Sequence, residues 1–329
     1  MLVDRFGRPF LKMRYIVEDV CNYNCVFCHF EGQLRKQGAV LTAEDYGFAT
    51  SIFYKLGVGD FKITGGEPLL RHDIDLIVAE VAKTGASVSI TTNGYFLRKW
   101  VDRLYRAGLR RLNVSIHTAD PDKYAKVTAT SPHMFREVLR GLYESKARGM
   151  SIKLNVVVLK GVNVDKKSLK DLIKLASSLD ASLQFIELMP SGWGEQVFGQ
   201  YYEPIESLVP LITELGGRPL NLRRELHNRP LFQVGGVVVE LVKNFNNAAF
   251  CNGCTTMRLT SDGKLKTCIY AEPKVDLLRY IKNRDVEGMI HAVRQALWLR
   301  EPRFKYYELR QAKENVETQK APSRSHSSS

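Results

Sequence analysis

The six cysteines of this 329-residue chain fall into two tight groups and occur nowhere else. The first group is a C-x3-C-x2-C run made of Cys21, Cys25 and Cys28, and the second is a C-x2-C-x13-C run made of Cys251, Cys254 and Cys268. A structural zinc ion or an electron-carrying 4Fe–4S cluster usually has four protein ligands. Three thiolates in each group therefore predict two clusters that each leave one iron free. Two open irons indicate a catalyst, with one iron for a cofactor and one for a substrate.

Zinc is the alternative at both groups. His29 adjoins Cys28 and could supply a fourth ligand to the first group, although it would have to fold back sharply. No further cysteine exists to complete the second group, and a histidine would have to come from a distant part of the chain. A predicted hairpin between Cys254 and Cys268 could return Cys268 to the loop that carries the other two thiols.

The amino-acid composition is that of a globular protein and gives no sign of a membrane protein. Hydrophobic residues make up 44% and charged residues 25% of the chain, as in ordinary globular proteins. No apolar run approaches the roughly 20 residues of a membrane helix, and residues 1–10 lack the apolar segment of a signal peptide. We therefore expect a cytoplasmic protein without membrane association, in which clustered thiols more often bind metal than form disulfides.

The net charge of +13 favours an anionic partner, although a lysine-rich solvated surface would give the same number. The basic residues are spread along the chain, and neither an RNA-binding aromatic signature nor a helix-turn-helix pattern is present. We therefore favour several Arg and Lys side chains that converge on one small anion over binding of nucleic acid.

Short apolar runs alternate with helical patterns through the first two thirds of the chain. The predicted strands are 11–17, 60–64, 87–92, 111–116, 152–159 and 183–188. The predicted helices are 43–56, 73–83, 97–107, 134–148 and 167–177, with Thr42 as the N-cap of the first. Repeated β-α units imply parallel strands, and six units are too few to close an eight-stranded barrel. We predict an α/β fold, a partial (β/α)6 barrel with its active-site residues at the C-terminal ends of the strands.

The pattern changes near residue 201, where an α+β region begins. A helix is predicted over 203–215, strand or hairpin over 231–242, and a closing helix over 285–300. Ser261-Asp262-Gly263 is typical of a hairpin turn between strands 257–260 and 264–269. We predict three parts: a barrel over 1–200, a C-terminal domain over 201–310, and a polar disordered tail over 311–329.

The first cysteine run resembles the signature of the radical S-adenosylmethionine (SAM) superfamily. Gly65-Gly66-Glu67-Pro68 resembles its GGEP motif, and Thr91-Thr92-Asn93-Gly94 and Asn113-Val114-Ser115-Ile116 follow in superfamily order, each at a predicted strand end. The resemblance implies a catalytic 4Fe–4S cluster on Cys21, Cys25 and Cys28 whose open iron binds SAM. It also implies a SAM site made of Phe27, Gly65, Gly66, Glu67, Ser115 and Met189. Glycines would let the backbone approach the methionine moiety of SAM, and Glu67 would help to hold its ammonium group.

From residue 1 to about residue 305 the chain resembles the GTP 3′,8-cyclase family of molybdenum-cofactor biosynthesis. The matching runs include Lys153-Leu154-Asn155-Val156-Val157-Val158 and Phe185-Ile186-Glu187-Leu188-Met189, and Cys28-His29-Phe30-Glu31-Gly32 is similar to archaeal members. The resemblance implies a second 4Fe–4S cluster on Cys251, Cys254 and Cys268 whose open iron binds the guanine of GTP. It implies GTP contacts by Arg14, Lys62, Thr92, Lys153, Thr256 and Arg258, removal of a hydrogen from ribose C3′, and attack of that carbon on guanine C8. The implied partners are a low-potential electron donor of ferredoxin or flavodoxin type and, downstream, cyclic pyranopterin monophosphate synthase.

The chain departs from the family pattern at three places. Gln184 and Thr256 stand where members often have Arg, and the chain ends in Ser327-Ser328-Ser329 where many members end in Gly-Gly. Two other readings remain beside the cyclase. One is a radical SAM enzyme with an auxiliary cluster that acts on a peptide or another small molecule. The other is a non-catalytic iron–sulfur or zinc module that carries electrons or binds nucleic acid.

Overall fold

The computed structural model describes residues 1–32, 40–220 and 229–303 of the chain. Within these residues twelve strands form one sheet in the order β12-β11-β10-β1-β2-β3-β4-β5-β6-β9-β8-β7. The strands are β1 Lys12–Ile16, β2 Asp60–Thr64, β3 Ser87–Thr92, β4 Arg111–Ser115, β5 Ser151–Val158, β6 Ser182–Glu187, β7 Arg218–Leu220, β8 Leu231–Val234, β9 Val237–Val242, β10 Thr256–Leu259, β11 Lys264–Lys266 and β12 Val275–Asp276.

The helices lie between the strands and after the last one. They are α1 Ala43–Lys55, α2 Ile74–Ala82, α3 Leu97–Arg106, α4 Pro121–Thr128, α5 Pro132–Ala147, α6 Lys166–Ser178, α7 Trp193–Gln196, α8 Phe198–Tyr201, α9 Leu208–Glu214, α10 Ala248–Asn252, α11 Leu278–Lys282 and α12 Val286–Trp298. Short 3-10 turns occur at Phe30–Gly32, Pro68–Leu70 and Ile205–Ser207. Among the described helices, none combines the length and the apolarity that crossing a bilayer requires.

The predicted partial barrel is confirmed, and it carries more parallel strands than expected. β1 to β6 are all parallel to their neighbours, β10 adds to the free edge of β1, and β9 adds to the free edge of β6, both also in parallel. The described strands show no ladder between β9 and β10, so hydrogen bonds do not close the barrel. The sequence pattern predicted β9 and β10 only as hairpin strands, because a local pattern does not reveal a partner far along the chain.

Local signals explain where the elements begin and end. Thr42 is the predicted N-cap of α1: its side chain accepts from Asp45 N, and the Asp45 carboxylate accepts from Thr42 N. The apolar run 231–242 divides at Gly235-Gly236, whose positive φ angles form the turn of the β8–β9 hairpin.

Two helix predictions need correction. The helix predicted over 203–215 is a 3-10 turn followed by the shorter α9. Pro210 lies in the first turn of α9, where its ring and its missing N–H prevent an α-helix from running through residue 206. α4 was not predicted, although Asp120 caps it by accepting from Asp122 N and Lys123 N.

The predicted division at residues 200 and 201 does not coincide with a break in the sheet. The C-terminal strands β9 and β10 extend the two edges of the sheet that the N-terminal strands form. The division into a barrel over 1–200 and a domain over 201–310 therefore stays a prediction. The predicted disordered tail over 311–329 lies outside the described residues.

Candidate active site

Two cavities inside the barrel meet along a shared wall. The upper cavity, about 400 Å³, lies at the C-terminal strand ends and is lined by Cys21, Cys25 and Cys28. The lower cavity, about 380 Å³, lies toward the N-terminal strand ends and is lined by Cys251, Cys254 and Cys268. Both cavities are lined by Arg14, His29, Lys62, Gln184, Ile186 and Met189. The expectation that all site residues lie at the C-terminal strand ends therefore holds for the upper cavity only.

Gly65 and Gly66 hold the first cysteine loop against the end of β2. Gly66 N donates to Glu18 O at 2.6 Å, and Glu67 N donates to Val20 O at 2.8 Å. A Cβ atom would lie 2.4 Å from Glu18 O if added to Gly65, and 2.3 Å from Val20 O if added to Gly66. Only glycine permits this backbone contact. Both glycines also line the upper cavity, but their packing requirement comes from the cysteine loop.

Glu67 is fully buried and does not line the upper cavity. Its carboxylate accepts from Thr92 Oγ1 at 2.6 Å, Asn93 N at 2.7 Å and Leu69 N at 2.9 Å. Burial raises the pKa of Glu67 to about 7. These contacts indicate that Glu67 orders the loop after β3. They do not support the predicted contact between Glu67 and SAM.

The other predicted SAM-site residues line the upper cavity: Phe27, Ser115 and Met189. The sequence analysis missed His117, whose ring meets that of Phe27 edge-on with centroids 4.3 Å apart. His117 Nδ1 accepts from Val157 N at 3.2 Å, and burial lowers the pKa of His117 to about 3. A neutral imidazole and a phenyl ring therefore form one wall of this cavity.

Five of the six predicted GTP contacts line the lower cavity, namely Arg14, Lys62, Lys153, Thr256 and Arg258. Thr92 instead lines the upper cavity and donates to Glu67. Its position beside the loop after β3 separates it from the other five.

Three of the cations lie in one row across neighbouring strands. Arg14 on β1 is in register with Lys62 on β2 and with Arg258 on β10. Burial, followed by the charges of Arg14 and Lys153, lowers the pKa of Lys62 to about 7. Cations this close repel one another, so the row favours an anion in the lower cavity.

Glu31, three residues after Cys28, connects this row to the first cysteine loop. Its Oε1 accepts from Arg14 Nη1 at 2.8 Å and from Thr64 Oγ1 at 3.1 Å, and its Oε2 lies 3.7 Å from Arg258 Nε. Burial alone would raise the pKa of Glu31, but Arg14 and Arg258 hold it well below its usual range. The sequence offered no signal for this role beyond an acidic residue close to the cysteines.

A second buried carboxylate, Glu240 on β9, orders the opposite wall of the lower cavity. It accepts from Lys153 Nζ at 2.9 Å, from Gln184 Nε2 at 2.6 Å and from Arg229 Nη1 at 2.6 Å. Burial opposes its ionisation, yet Arg229 and Lys153 lower the pKa of Glu240 to about 2. A lone acid within the apolar run 237–242 was the available sequence signal, because an unpaired charge is rarely buried.

The second triad lies beside arginine side chains. Arg8 Nη1 is 3.5 Å from Cys251 Sγ, and Arg300 Nη2 donates to Cys254 O at 2.6 Å. Burial would raise the pKa of Cys254, but Arg300, a backbone hydrogen bond at Thr256 and then Arg258 hold that pKa below its ordinary value. Burial raises the pKa of Cys251 despite Arg8.

The donor set fits two iron–sulfur clusters. All six cysteines are free thiols, grouped in threes on two cavities. Over residues 1–32, 40–220 and 229–303, no three His, Cys, Asp or Glu side chains converge as ligands of a single metal ion. A 4Fe–4S cluster attaches each thiolate to a different iron, so that finding concerns single ions only. His29, the alternative zinc ligand, lies on the wall that the cavities share.

Comparisons with known proteins agree with this geometry. Residues 15–174 match the family profile described as Radical SAM superfamily, and residues 181–306 match the one described as Molybdenum Cofactor Synthesis C. A structure described as Streptococcus suis SuiB bound to S-adenosylmethionine has a TM-score of 0.64 at 16% identity, and the match covers 86% of this chain and 68% of that one. This similarity shows the fold alone.

Curated relatives are similar over almost their whole length. The "Probable GTP 3',8-cyclase" of Pyrobaculum aerophilum is 69% identical over 307 residues, which cover 93% of this chain and 99% of the relative. The protein of the same description from Metallosphaera sedula is 36% identical, over 93% of this chain and 97% of the relative. The chain therefore belongs to the GTP 3′,8-cyclase family of the radical SAM superfamily.

Proposed function

We propose that this chain converts GTP into 3′,8-cyclo-7,8-dihydroguanosine 5′-triphosphate, the first step of molybdenum-cofactor biosynthesis. The observation that carries the proposal is the pair of adjoining cavities, each with its own free cysteine triad. A glycine-bounded loop borders the first triad, and a group of cations borders the second. Membership of the family supports the same reaction.

Cys21, Cys25 and Cys28 would hold one 4Fe–4S cluster with SAM, and Cys251, Cys254 and Cys268 would hold a second cluster facing the guanine. When bound, the first cluster and SAM supply a radical that removes the C3′ hydrogen, so that C3′ can bond to guanine C8. The product is an isomer of GTP. The two electrons and one proton used in each turnover therefore leave with methionine and 5′-deoxyadenosine.

In the upper cavity the protein positions SAM and excludes water. Phe27 and His117 offer an apolar, uncharged wall for the adenine, and Ser115 offers a hydroxyl. Glu67 acts on SAM binding indirectly, because it holds the Thr92-Asn93 loop in place beside the cysteine loop. Because the two cavities adjoin at the residues that line both, SAM and GTP would lie next to each other with bulk water excluded.

In the lower cavity the cations bind the triphosphate. Arg14, Lys62 and Arg258 form one side, and Lys153 and Arg229 stand on the other. Arginine suits phosphate because its fork of N–H donors matches the oxygens. Gln184 lacks that fork, but Arg229 shares the Glu240 carboxylate with it and brings a guanidinium to the same wall. We propose that Arg229 replaces the charge that residue 184 does not carry.

The remaining assignments belong to the same proposal. Residues 1–200 would form the SAM-binding barrel and residues 201–310 the part that carries the second cluster. Two open clusters need a reducing compartment, which fits a cytoplasmic location. A low-potential donor of ferredoxin or flavodoxin type would supply the electrons, and cyclic pyranopterin monophosphate synthase would take the product.

Anaerobic turnover of the reconstituted protein tests this function. GTP, SAM and dithionite should give 5′-deoxyadenosine and, in equal amount, a product that oxidises to a fluorescent pterin. ATP in place of GTP is the matched control and should give no pterin. 5′-Deoxyadenosine formed at the same rate with or without GTP, and no pterin, would exclude GTP as the substrate.

The absence of arginine at Gln184 and Thr256 favours one alternative, a radical SAM enzyme acting on a peptide or another small molecule. In that case GTP would leave the spectra of both clusters unchanged. An electron carrier or a zinc module would fail differently. An electron carrier would cleave no SAM, and a zinc module would hold zinc and fewer than about eight irons per chain.

A further inference from the structure

The first eight residues of the chain form a tight turn that positions Arg8. Asp4 N donates to Arg8 O, and Gly7 N donates to Asp4 O, each at 3.0 Å. The Asp4 side chain accepts from Phe6 N and Arg8 N through Oδ1. The same carboxylate thus shapes the turn and leaves its Oδ2 for other partners.

Asp4 Oδ2 joins two arginines from opposite ends of the chain. It accepts from Arg8 Nε at 2.8 Å and lies 3.3 Å from Arg300 Nη1. The side chains of Arg8 and Arg300 are only 5% and 1% exposed, and that of Asp4 is 0% exposed. Within the described residues, two buried cations share this one anion, so the group, which we call the clamp, carries one excess positive charge. Such a charge is costly to bury unless an anion lies nearby.

The clamp contacts the loop of the second cysteine triad at two points. Arg8 Nη1 lies 3.3 Å from Cys251 O and 3.5 Å from Cys251 Sγ, and Arg300 Nη2 lies 2.6 Å from Cys254 O. Arg8 Nη2 is buried and has no hydrogen-bond partner among the described residues, and Arg300 Nη1 has none there beyond its ion pair with Asp4. The excess positive charge therefore lies next to the loop of the second triad.

We propose that the clamp of Asp4, Arg8 and Arg300 sets the reduction potential of the second cluster. The inference rests on the proposed function, because it requires a cluster on Cys251, Cys254 and Cys268. Reduction adds one negative charge to the cluster, and a cation in contact with a thiolate ligand stabilises the reduced form. The clamp makes the second cluster easier to reduce. Arg8 and Arg300 also line the lower cavity, so the potential of the cluster has to be measured without GTP.

The test measures the potential of the second cluster alone. The triple variant Cys21→Ala, Cys25→Ala, Cys28→Ala removes the first site, and an anaerobic redox titration without GTP, followed by electron paramagnetic resonance, reports the second. Adding Arg8→Gln should lower the reduced-to-oxidised ratio about tenfold at a fixed solution potential, which equals 59 mV for one electron. Arg8→Lys keeps the charge and should change the ratio less than threefold. Asp4→Asn removes the compensating anion and should shift the potential in the opposite direction.

Controls separate tuning from loss of structure. Arg103→Gln removes an exposed arginine paired with Asp75 and should leave the ratio unchanged. An unchanged potential in Arg8→Gln, with its iron retained, would overturn the proposal. So would loss of the cluster from both Arg8→Lys and Arg8→Gln, which would show that Arg8 only holds the loop. A triple variant without iron would instead contradict the second cluster itself, and with it the proposed function.

Discussion

Cys21, Cys25 and Cys28 lie among groups that disfavour charge, whereas Cys251, Cys254 and Cys268 lie among arginines. Burial raises the pKa of Cys28 to about 11 and that of Cys25 well above its usual value, and the charged side chains acting on this triad are the carboxylates Glu67 and Glu31. At the second triad, burial still raises the pKa of Cys251, but Arg300, a backbone hydrogen bond at Thr256 and Arg258 together hold the pKa of Cys254 below its ordinary value.

The contrast matches the ligands that we propose for the two cavities. SAM is a sulfonium compound without a phosphate, and the upper cavity offers it glycines, aromatic rings and hydroxyl groups, with carboxylates such as Glu18 and Glu31 beside the cations Arg14 and Lys62 of the shared wall. GTP is strongly anionic, and the lower cavity offers it a row of cations. We propose that two triads of the same ligand type differ in function because different charges surround them.

Removing one thiol from each triad should have the largest effect and should separate the two sites. Cys28→Ala should abolish SAM cleavage, because it removes a ligand of the first cluster. Cys268→Ala should abolish the cyclised product and the GTP-dependent change in the spectrum, while some uncoupled SAM cleavage persists. Chromatography of 5′-deoxyadenosine and of the oxidised pterin measures both products. Normal cyclase turnover in Cys268→Ala would contradict the assignment of two sites.

Glu31→Gln should separate stability from anion binding. Without this carboxylate, the buried Arg258 and the partly exposed Arg14 lose their partner, and because breaking a fully buried ion pair costs about 3–5 kcal/mol, we expect a loss of stability below that range. The added net positive charge should nevertheless tighten GTP binding. Denaturant unfolding and anaerobic calorimetry measure the two effects. The exposed Glu287→Gln is the matched control, with an expected change in stability within about 0.5 kcal/mol. A Glu31→Gln protein as stable as the parent would show that Glu31 does not hold the cations together.

Glu67→Gln should weaken SAM binding through the loop after β3. The new amide nitrogen would face at least one N–H donor, at a cost of about 1–3 kcal/mol for a buried unpaired group. The loop would shift and the Kd for SAM would rise, while GTP binding in the lower cavity should stay unchanged. Equilibrium binding of both ligands to the same sample measures the difference. A rise in both dissociation constants would indicate general unfolding instead.

Lys62 should give the smallest effect, a dependence of GTP binding on pH. The groups acting on it are Arg14, Lys153, Asp60 and Arg229, and its pKa is about 7. In the protein without GTP, the Lys62 amine is mostly neutral above pH 7. A bound triphosphate raises the pKa of Lys62, so GTP binding at pH 8 should take up close to one proton. Affinity should fall by up to about tenfold for each pH unit above 7. Calorimetry in buffers of different ionisation enthalpy counts the proton, and Lys62→Arg, charged at every pH, should take up none.

The sequence by itself determined the features that depend on local pattern. The spacing of the cysteines predicted two triads, the alternation of apolar runs predicted the six β-α units, and Thr42 predicted the start of α1. Strand and helix boundaries for these units agree within one or two residues. Such signals lie within a few residues of each other, so the periodicity of a helix or a strand reveals them.

Only the tertiary structure decided which groups surround the triads. Arg8 and Cys251 are 243 positions apart, and Glu31 and Arg258 come from loops and strands at opposite ends of the chain. The parallel addition of β9 and β10 to the two sheet edges brings these partners together. The stabilisation of a buried charge depends on the distance to its partner in space. No local pattern encodes that distance, and the charges that distinguish the two triads therefore had to be read from the fold.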